Sequence, residues 1–356
     1  MSSNNPSNSN PIAGALTYPA RNEENAQPVP EQPRQPRNLQ GLLRFAMEAT
    51  KAEDAPGNSE LGPMDEQRRK FLEDALKGLT VNISQVLQSA IKVLSDIEKM
   101  QSIQLGEPLP DDVMASFNNL LDFIDDIDVA NDFYKMGGFA VFPICYGSEN
   151  EEVRARASAV LGELCQNNPY CQARALDCGL LNVLLTLVQT ERGEALAKCI
   201  YAVSCATREF EPACRELIAQ GGCDTLAQLL SDAEPAARTK AAFLVRYLCC
   251  HYTDAKEQFI KLNLVQTIAD QIKSGRDDTS EHFLNILLSL LSDLDPTVQQ
   301  QCTDPATNLK KTLENHMKHP DLIDDTYQEE KEYCQELLRM LKRFPDVQVI
   351  DEMADR

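Results

Sequence analysis

The chain has 356 residues, 25% of them charged, and a formal net charge of −21. That acidity disfavours nucleic acid and anionic membrane surfaces, whose binding needs clustered Lys and Arg. No stretch approaches the ~20 apolar residues of a membrane-spanning helix, and the N-terminus lacks the basic and apolar regions of a secretory signal. A cytoplasmic protein is therefore expected, with the sequon at Asn82 inert.

Residues 1–37 are rich in Ser, Asn, Gln and Pro and read as a disordered polar tail. One apolar island follows at 38–50, "NLQGLLRFAMEAT", and then another polar stretch. Leu39, Leu42, Leu43 and Ala46 fall on one helical stripe, so the island can dock on the folded body as a short helix. It can equally act as an extended apolar segment around Arg44. Residues 65–100 read as N-terminal capping helices, 65–80 and 82–99, broken near Thr80–Asn82. Ile83, Val86, Leu87, Ala90, Ile91 and Leu94 form the buried stripe of the second.

The next segment is periodic. Gly137, Gly179, Gly221 and Asn263 are each 42 residues apart. Each follows an apolar residue three positions earlier (Tyr134, Leu176, Ile218, Ile260) and precedes another five later (Phe142, Leu184, Leu226, Ile268). Gly or Asn suits a turn of positive φ between two helices. Between the turns run long amphipathic stretches such as "EEVRARASAVLGELC" and "PAARTKAAFLVRYLC". Their cores are Ala157 with Leu161, Cys199 with Val203 and Ala241 with Val245, at i, i+4 spacing. A period near 42 with short, medium and long helices predicts an all-α armadillo-repeat right-handed solenoid over 111–320. Its first unit is expected near 111–150 and its last near 276–320. A C-terminal capping helix is expected at 325–344, its charged face keeping the solenoid end soluble, and an acidic tail at 345–356.

In an armadillo unit the third helix lines the concave groove. The outward phase of these helices carries Arg156, Lys198, Lys240 and His282, again 42 apart, a basic ladder in an acidic protein. Tyr201, Phe243 and Tyr247 lie beside it. Aromatic and basic side chains anchor interfaces, so the ladder is a candidate partner-binding surface. Alternatively these long side chains cover neighbouring helices and meet acidic partners within the fold.

Catalytic chemistry finds no support. There is no phosphate-binding Gly-rich loop, no G-x-S-x-G and no C-x-x-C pair. His316-x-x-His319 lacks a nearby third metal ligand. The five Asp of "DFIDDIDVAND" suit a solvated helix end. The twelve cysteines fall mostly on apolar faces and read as reduced core residues, with Cys249–Cys250 the one candidate for redox sensing. No cofactor, metal or enzymatic activity is expected, and a monomer is.

Several segments resemble the heat-shock protein 70 binding protein family, armadillo-type nucleotide exchange factors of cytosolic heat-shock protein 70 (Hsp70). They are "RNLQGLLRFAMEAT", "DEQRRKFLEDAL", "DVANDFYKMGG", "KCIYAVSCATRE", "KAAFLVRYL", "EHFLNILLSLLSDLDPTV" and the final "DEMADR", which together span nearly the whole chain. The resemblance implies a co-chaperone whose concave face grips the chaperone's ATPase domain, so that ADP and then client leave. It also implies a flexible N-terminal release segment, which here would be Leu42, Leu43 and Phe45, directed at the substrate-binding domain. Two departures stand out: the fourth turn residue is Asn263, and Tyr247 stands where armadillo grooves usually carry Asn. The alternative classes are an armadillo scaffold or adaptor that reads linear motifs without affecting nucleotide exchange, and a ubiquitin-pathway adaptor. The chain has no Trp, which disfavours an importin-type Trp/Asn ladder, and no RING-like cysteine spacing.

Overall fold

The computed structural model describes Lys70, residues 82–232 and residues 234–343. The apolar island at 38–50, the first capping helix apart from Lys70, and the acidic tail lie outside the described residues. The described residues form α-helices and short 3-10 turns, with no strand among them. In chain order the α-helices are α1 (Ile83–Leu94), α2 (Ile97–Ser102), α3 (Asp111–Leu121), α4 (Ile127–Lys135), α5 (Val141–Tyr146), α6 (Glu151–Cys165), α7 (Pro169–Asp177), α8 (Leu180–Thr190) and α9 (Gly193–Thr207). They continue with α10 (Glu211–Ala219), α11 (Gly222–Asp232), α12 (Pro235–His251), α13 (Thr253–Lys261), α14 (Leu264–Ser274) and α15 (Ser280–Leu291). The last are α16 (Pro296–Thr303), α17 (Leu309–His316) and α18 (Gln328–Leu341).

The repeat is an armadillo solenoid of three-helix units. The turn between first and second helix has positive φ at Gly137 (82°), Gly179 (69°), Gly221 (77°) and Asn263 (57°). The N–H of each donates to the carbonyl of the apolar residue three positions earlier: Tyr134, Leu176, Ile218 and Ile260. This closes the first helix with a left-handed residue. A fifth copy, Asn308 (φ 48°), separates α16 from α17. It sits 45 residues after Asn263 rather than 42, and so escapes the period.

That fifth turn changes the unit boundaries. The first complete triplet is α4 with α5 and α6, and α3 lies before it as an extra helix packed on α6. Helix α15 is the third helix of the unit that opens at α13, rather than part of a last unit over 276–320. Helix α18, expected as a cap, packs along α15 as α15 packs along α12, and is the third helix of a fifth unit. The 82–99 helix also divides. Asp96 accepts from the Lys99 N–H and starts α2, while Asn82, the sequon residue, caps α1 by accepting from Gln85 N–H. Leu87, Ala90 and Leu94 of α1 are buried.

The core is continuous along the stack. Ala157, Leu161, Cys199, Val203, Ala241 and Val245 are all buried, as the i, i+4 spacing requires. All twelve cysteines are free thiols, and Cys178 and Cys250 alone are exposed. Burial pushes the thiol of Cys145 up to about 12 and that of Cys171 up to about 11, which suits packing rather than reactivity. Cys249 is buried too, and desolvation raises its thiol as well.

Buried polar groups fasten unit to unit. Arg154 in α6 pairs with Glu191 before α9, and Arg238 in α12 pairs with Asp277 before α15. Gln172 donates to the carbonyls of Cys205 (2.8 Å) and Arg208 (2.9 Å) at the C-terminus of α9. Lys256, 84 residues on, donates to Ser292 and Asp293 just past α15. The fifth unit is clamped by Glu330. Its side chain, 3% exposed, takes a two-pronged contact from Arg276 (2.8 and 3.1 Å) and a 2.7 Å bond with His316. His316 is thereby a structural residue, and the His319 ring nitrogen instead accepts from Asp321 N–H. In the acidic cluster, Asp126 caps α4 and Asp132 pairs with Lys135.

Two expectations follow. Burial alone would raise the Glu330 carboxyl, but the hydrogen bonds from His316 and Arg276 and the Arg276 charge hold it below its ordinary value of 4.5. A carboxyl depressed in the folded state stabilises above its unfolded value and ceases to do so as pH falls through the folded one. Glu330→Leu, which leaves the Arg276 guanidinium with only the half-exposed Asp321 as its carboxylate partner, should cost about 3 kcal/mol in urea unfolding and flatten the acid limb below the ordinary carboxylate range. Gly179→Ala should cost about 1–2 kcal/mol from the left-handed φ alone, since a Cβ there meets nothing within 4 Å. Urea midpoints of Gly179→Ala and Gly179→Asn separate strain from packing: Asn should recover much of the loss.

Candidate partner-binding face

The third helices α6, α9, α12, α15 and α18 lie side by side, and clefts open along them, two of which carry the ladder. The first, about 790 Å³, is lined by Arg156, Ala159 and Lys198 together with Glu151, Glu152, Glu194 and Glu234. The second, about 370 Å³, is lined by Tyr201, Cys205, Lys240, Phe243 and His282, and by Arg208, Glu209, Gln166 and Thr239. The fold therefore brings Arg156 with Lys198 to one cleft and Tyr201, Lys240, Phe243 and His282 to the next. Tyr247 stands beside the second, its ring 4.6 Å from that of His251. Leu42, Leu43 and Phe45 lie outside the described residues.

The rungs of the ladder are not equivalent. Arg156 is engaged within the fold: its Nε donates to Glu152 (2.9 Å) and one terminal nitrogen to Asn118 (3.1 Å). Lys198 is half-buried and Lys240 exposed. No ion pair joins either to a carboxylate among the described residues; the Lys240 Nζ stands 5.3 Å from the centre of the Tyr201 ring. His282 is a neutral rung. Burial lowers its imidazole below the ordinary 6.5, and Arg246 adds to this against the opposing pull of Glu281. Its buried Nδ1 has no hydrogen-bond partner among the described residues.

The tyrosines tie neighbouring units together. Tyr201 Oη contacts Glu163 (2.7 Å) and Gln166 (3.0 Å), both in the preceding unit. Tyr247 Oη accepts from Glu209 N–H at 2.8 Å, which holds Glu209 in a left-handed turn of φ 59°. Tyr247 thus fixes the end of the preceding third helix. The Tyr201 ring lies on Gly162: a Cβ there would come within 2.5 Å of the ring.

Arg208 is the face residue that sequence periodicity passes over. Its guanidinium lies 4.6 Å from the Phe243 ring centre and 5.7 Å from that of Tyr247. It follows α9 as its C-cap, outside the helical phase that defines the ladder, and only the neighbouring unit's aromatics bring it into the cleft. A basic residue seven positions after Tyr201, two helical turns on and just past the helix end, was the available signal.

Comparison with known proteins identifies the lineage. One family, described as nucleotide exchange factor Fes1, matches residues 39–133, and a second, the SIL1/FES1/HPBP1 C-terminal domain, matches residues 129–257. Together they run from the apolar island to the middle of the solenoid. The chain belongs to the SIL1/FES1/HPBP1 family. It is 28% identical over 334 residues to Hsp70-binding protein 1 of Mus musculus, covering 91% of this chain and 90% of that one. It is 28% identical over 147 residues to Hsp70 nucleotide exchange factor FES1 of Mycosarcoma maydis, covering 41% and 38% of the two chains. Among solved structures, the designed armadillo repeat protein YIII(Dq)4CqI matches with a TM-score of 0.54 at 13% identity, over 70% of this chain and 99% of that one. That likeness concerns the fold.

The residues matched to the family's C-terminal domain include α6, α9 and α12, and with them the charged residues of the first cleft and all of the second but His282. Gly162→Ala should push the Tyr201 ring off α6 and cost about 1–3 kcal/mol, the usual penalty of overpacking. Urea unfolding gives the cost. A double variant with Tyr201→Leu should recover most of it, whereas an equal loss with and without Tyr201 would show that the ring is not what Gly162 accommodates.

Proposed function

We propose that this protein is a co-chaperone, a nucleotide exchange factor that binds the ATPase domain of cytosolic Hsp70 through the concave face built by its third helices. The observation that carries the reading is the match to Hsp70-binding protein 1 along 91% of the chain, joined to the Fes1 exchange-factor match that begins at residue 39. The third-helix face supplies a physical means: a row of clefts bordered by Lys198, Lys240 and Arg208 on a body fastened by buried ion pairs.

The mechanism is one of linkage. A protein that binds the open, nucleotide-poor ATPase domain better than the closed ADP-bound one weakens ADP by the same factor that ADP weakens it. No bond is made or broken by this chain; binding energy to the open state does the work. Release of ADP then permits ATP entry and client release. Leu42, Leu43 and Phe45 extend the proposal to the chaperone's substrate-binding domain. A tethered apolar segment has a high effective concentration there and competes with returning client.

The test is stopped-flow release of fluorescent ADP from purified cytosolic Hsp70. Release should accelerate and saturate with protein concentration. Lys198→Glu with Lys240→Glu should raise the half-saturating concentration more than about tenfold and leave thermal unfolding unchanged. No acceleration by the wild-type chain would overturn the reading in favour of an armadillo adaptor.

A further inference from the structure

Arg208 differs from three ion-paired arginines of this face. Arg154, Arg156 and Arg238 are each paired with a carboxylate. The Arg208 side chain donates no hydrogen bond and joins no ion pair among the described residues, and its Nε is buried without a partner. Yet it is held in place. Phe243 and Tyr247 form a shelf under the guanidinium, and Gln172 fixes its backbone carbonyl. Its neighbour Glu209 lines the same cleft but forms no ion pair with it, and the Glu209 backbone is tied to Tyr247. Across the cleft stands Lys240 on the Tyr201 ring, also outside any ion pair among the described residues. A fixed, planar fork with unengaged N–H groups matches a carboxylate.

We infer that the cleft between α9 and α12 is a socket for a single carboxylate side chain projecting from the partner, gripped by Arg208 and completed by Lys240. The inference rests on the reading of the third-helix face as the partner-binding surface and adds the chemistry of its central contact. A monoanion fits better than a dianionic phosphate. The C-terminal end of α9, the negative end of its dipole, opens onto the same cleft, and Glu209 lies on the rim. Holding the guanidinium on aromatic rings before the partner arrives removes part of the ordering cost of binding.

Two measurements test the socket. The first is ADP release from Hsp70 with Arg208→Gln, and with Phe243→Leu, which removes the nearer ring of the shelf and keeps the charge. Each should raise the half-saturating concentration about tenfold or more and leave the saturating rate unchanged. The second needs no chaperone. In protein labelled with 15N-arginine, the Arg208 guanidinium resonances (Nε–H and the terminal Nη–H groups) are followed while blocked tetraglutamate or tetraglutamine is added. Tetraglutamate should shift them, tetraglutamine should not, and the shift should vanish in Arg208→Gln. If wild-type protein accelerates release and Arg208→Gln matches it, the socket is overturned. If wild-type protein does not accelerate release, the exchange-factor reading fails by itself and the peptide titration decides the socket: a tetraglutamate-specific shift supports it, and equal or absent shifts with the two peptides overturn it.

Discussion

The left-handed turn between the first two helices of each unit is the constraint on which the rest depends. Five residues hold it: Gly137, Gly179, Gly221, Asn263 and Asn308. The first four let a short helix end by hydrogen bonding its own last turn, and all five let the chain reverse into the second helix. The third helix of every unit then lands beside the third helix of the unit before. Stacking of that kind buries one continuous core along the solenoid. It also places positions 42 apart in register, and so turns a sequence period into a surface.

That surface is held by ties that cross unit boundaries. Arg154–Glu191 and Arg238–Asp277 fix the starts of third helices. Gln172 donates to the carbonyls at the end of α9, and Lys256 to two side chains just past α15. Tyr201 and Tyr247 use their hydroxyls on the preceding unit while their rings support Lys240 and Arg208. The same side chains thus set the spacing of the face and dress it chemically.

Much of this was legible in the sequence because it is periodic. The glycine series predicted the turns, and the i, i+4 apolar pairs predicted the core of the long helices. The same phase predicted that Arg156, Lys198, Lys240 and His282 share a face. What the period could not convey is the environment of each rung. Arg156 is engaged by Glu152 and Asn118, from its own helix and from α3, and burial keeps His282 neutral at the pH where a ladder would want it charged. The fifth unit was hidden because Asn308 comes three residues late and its first helix is short. Arg208 was hidden because it sits after a helix rather than on it. Its role comes from Phe243 and Tyr247, 35 and 39 residues away, a contact that only the stacked fold reveals. Gln172 and Lys256 are a similar case: chemically unlike residues at equivalent positions both reach the far end of the unit's third helix, one through carbonyls and one through side chains, and no residue pattern marks them.

The central claim is that the third-helix face is where the chaperone binds. Photo-crosslinking tests it most directly, with a benzophenone amino acid placed singly at Lys240, on a third helix, and at Tyr170, an exposed residue on a first helix. With the Hsp70 ATPase domain, the probe at position 240 should give a specific crosslink that excess unlabelled protein competes away, and the probe at 170 should give none. A competable crosslink from 170 without one from 240 would contradict the account and move the contact to another surface of the solenoid.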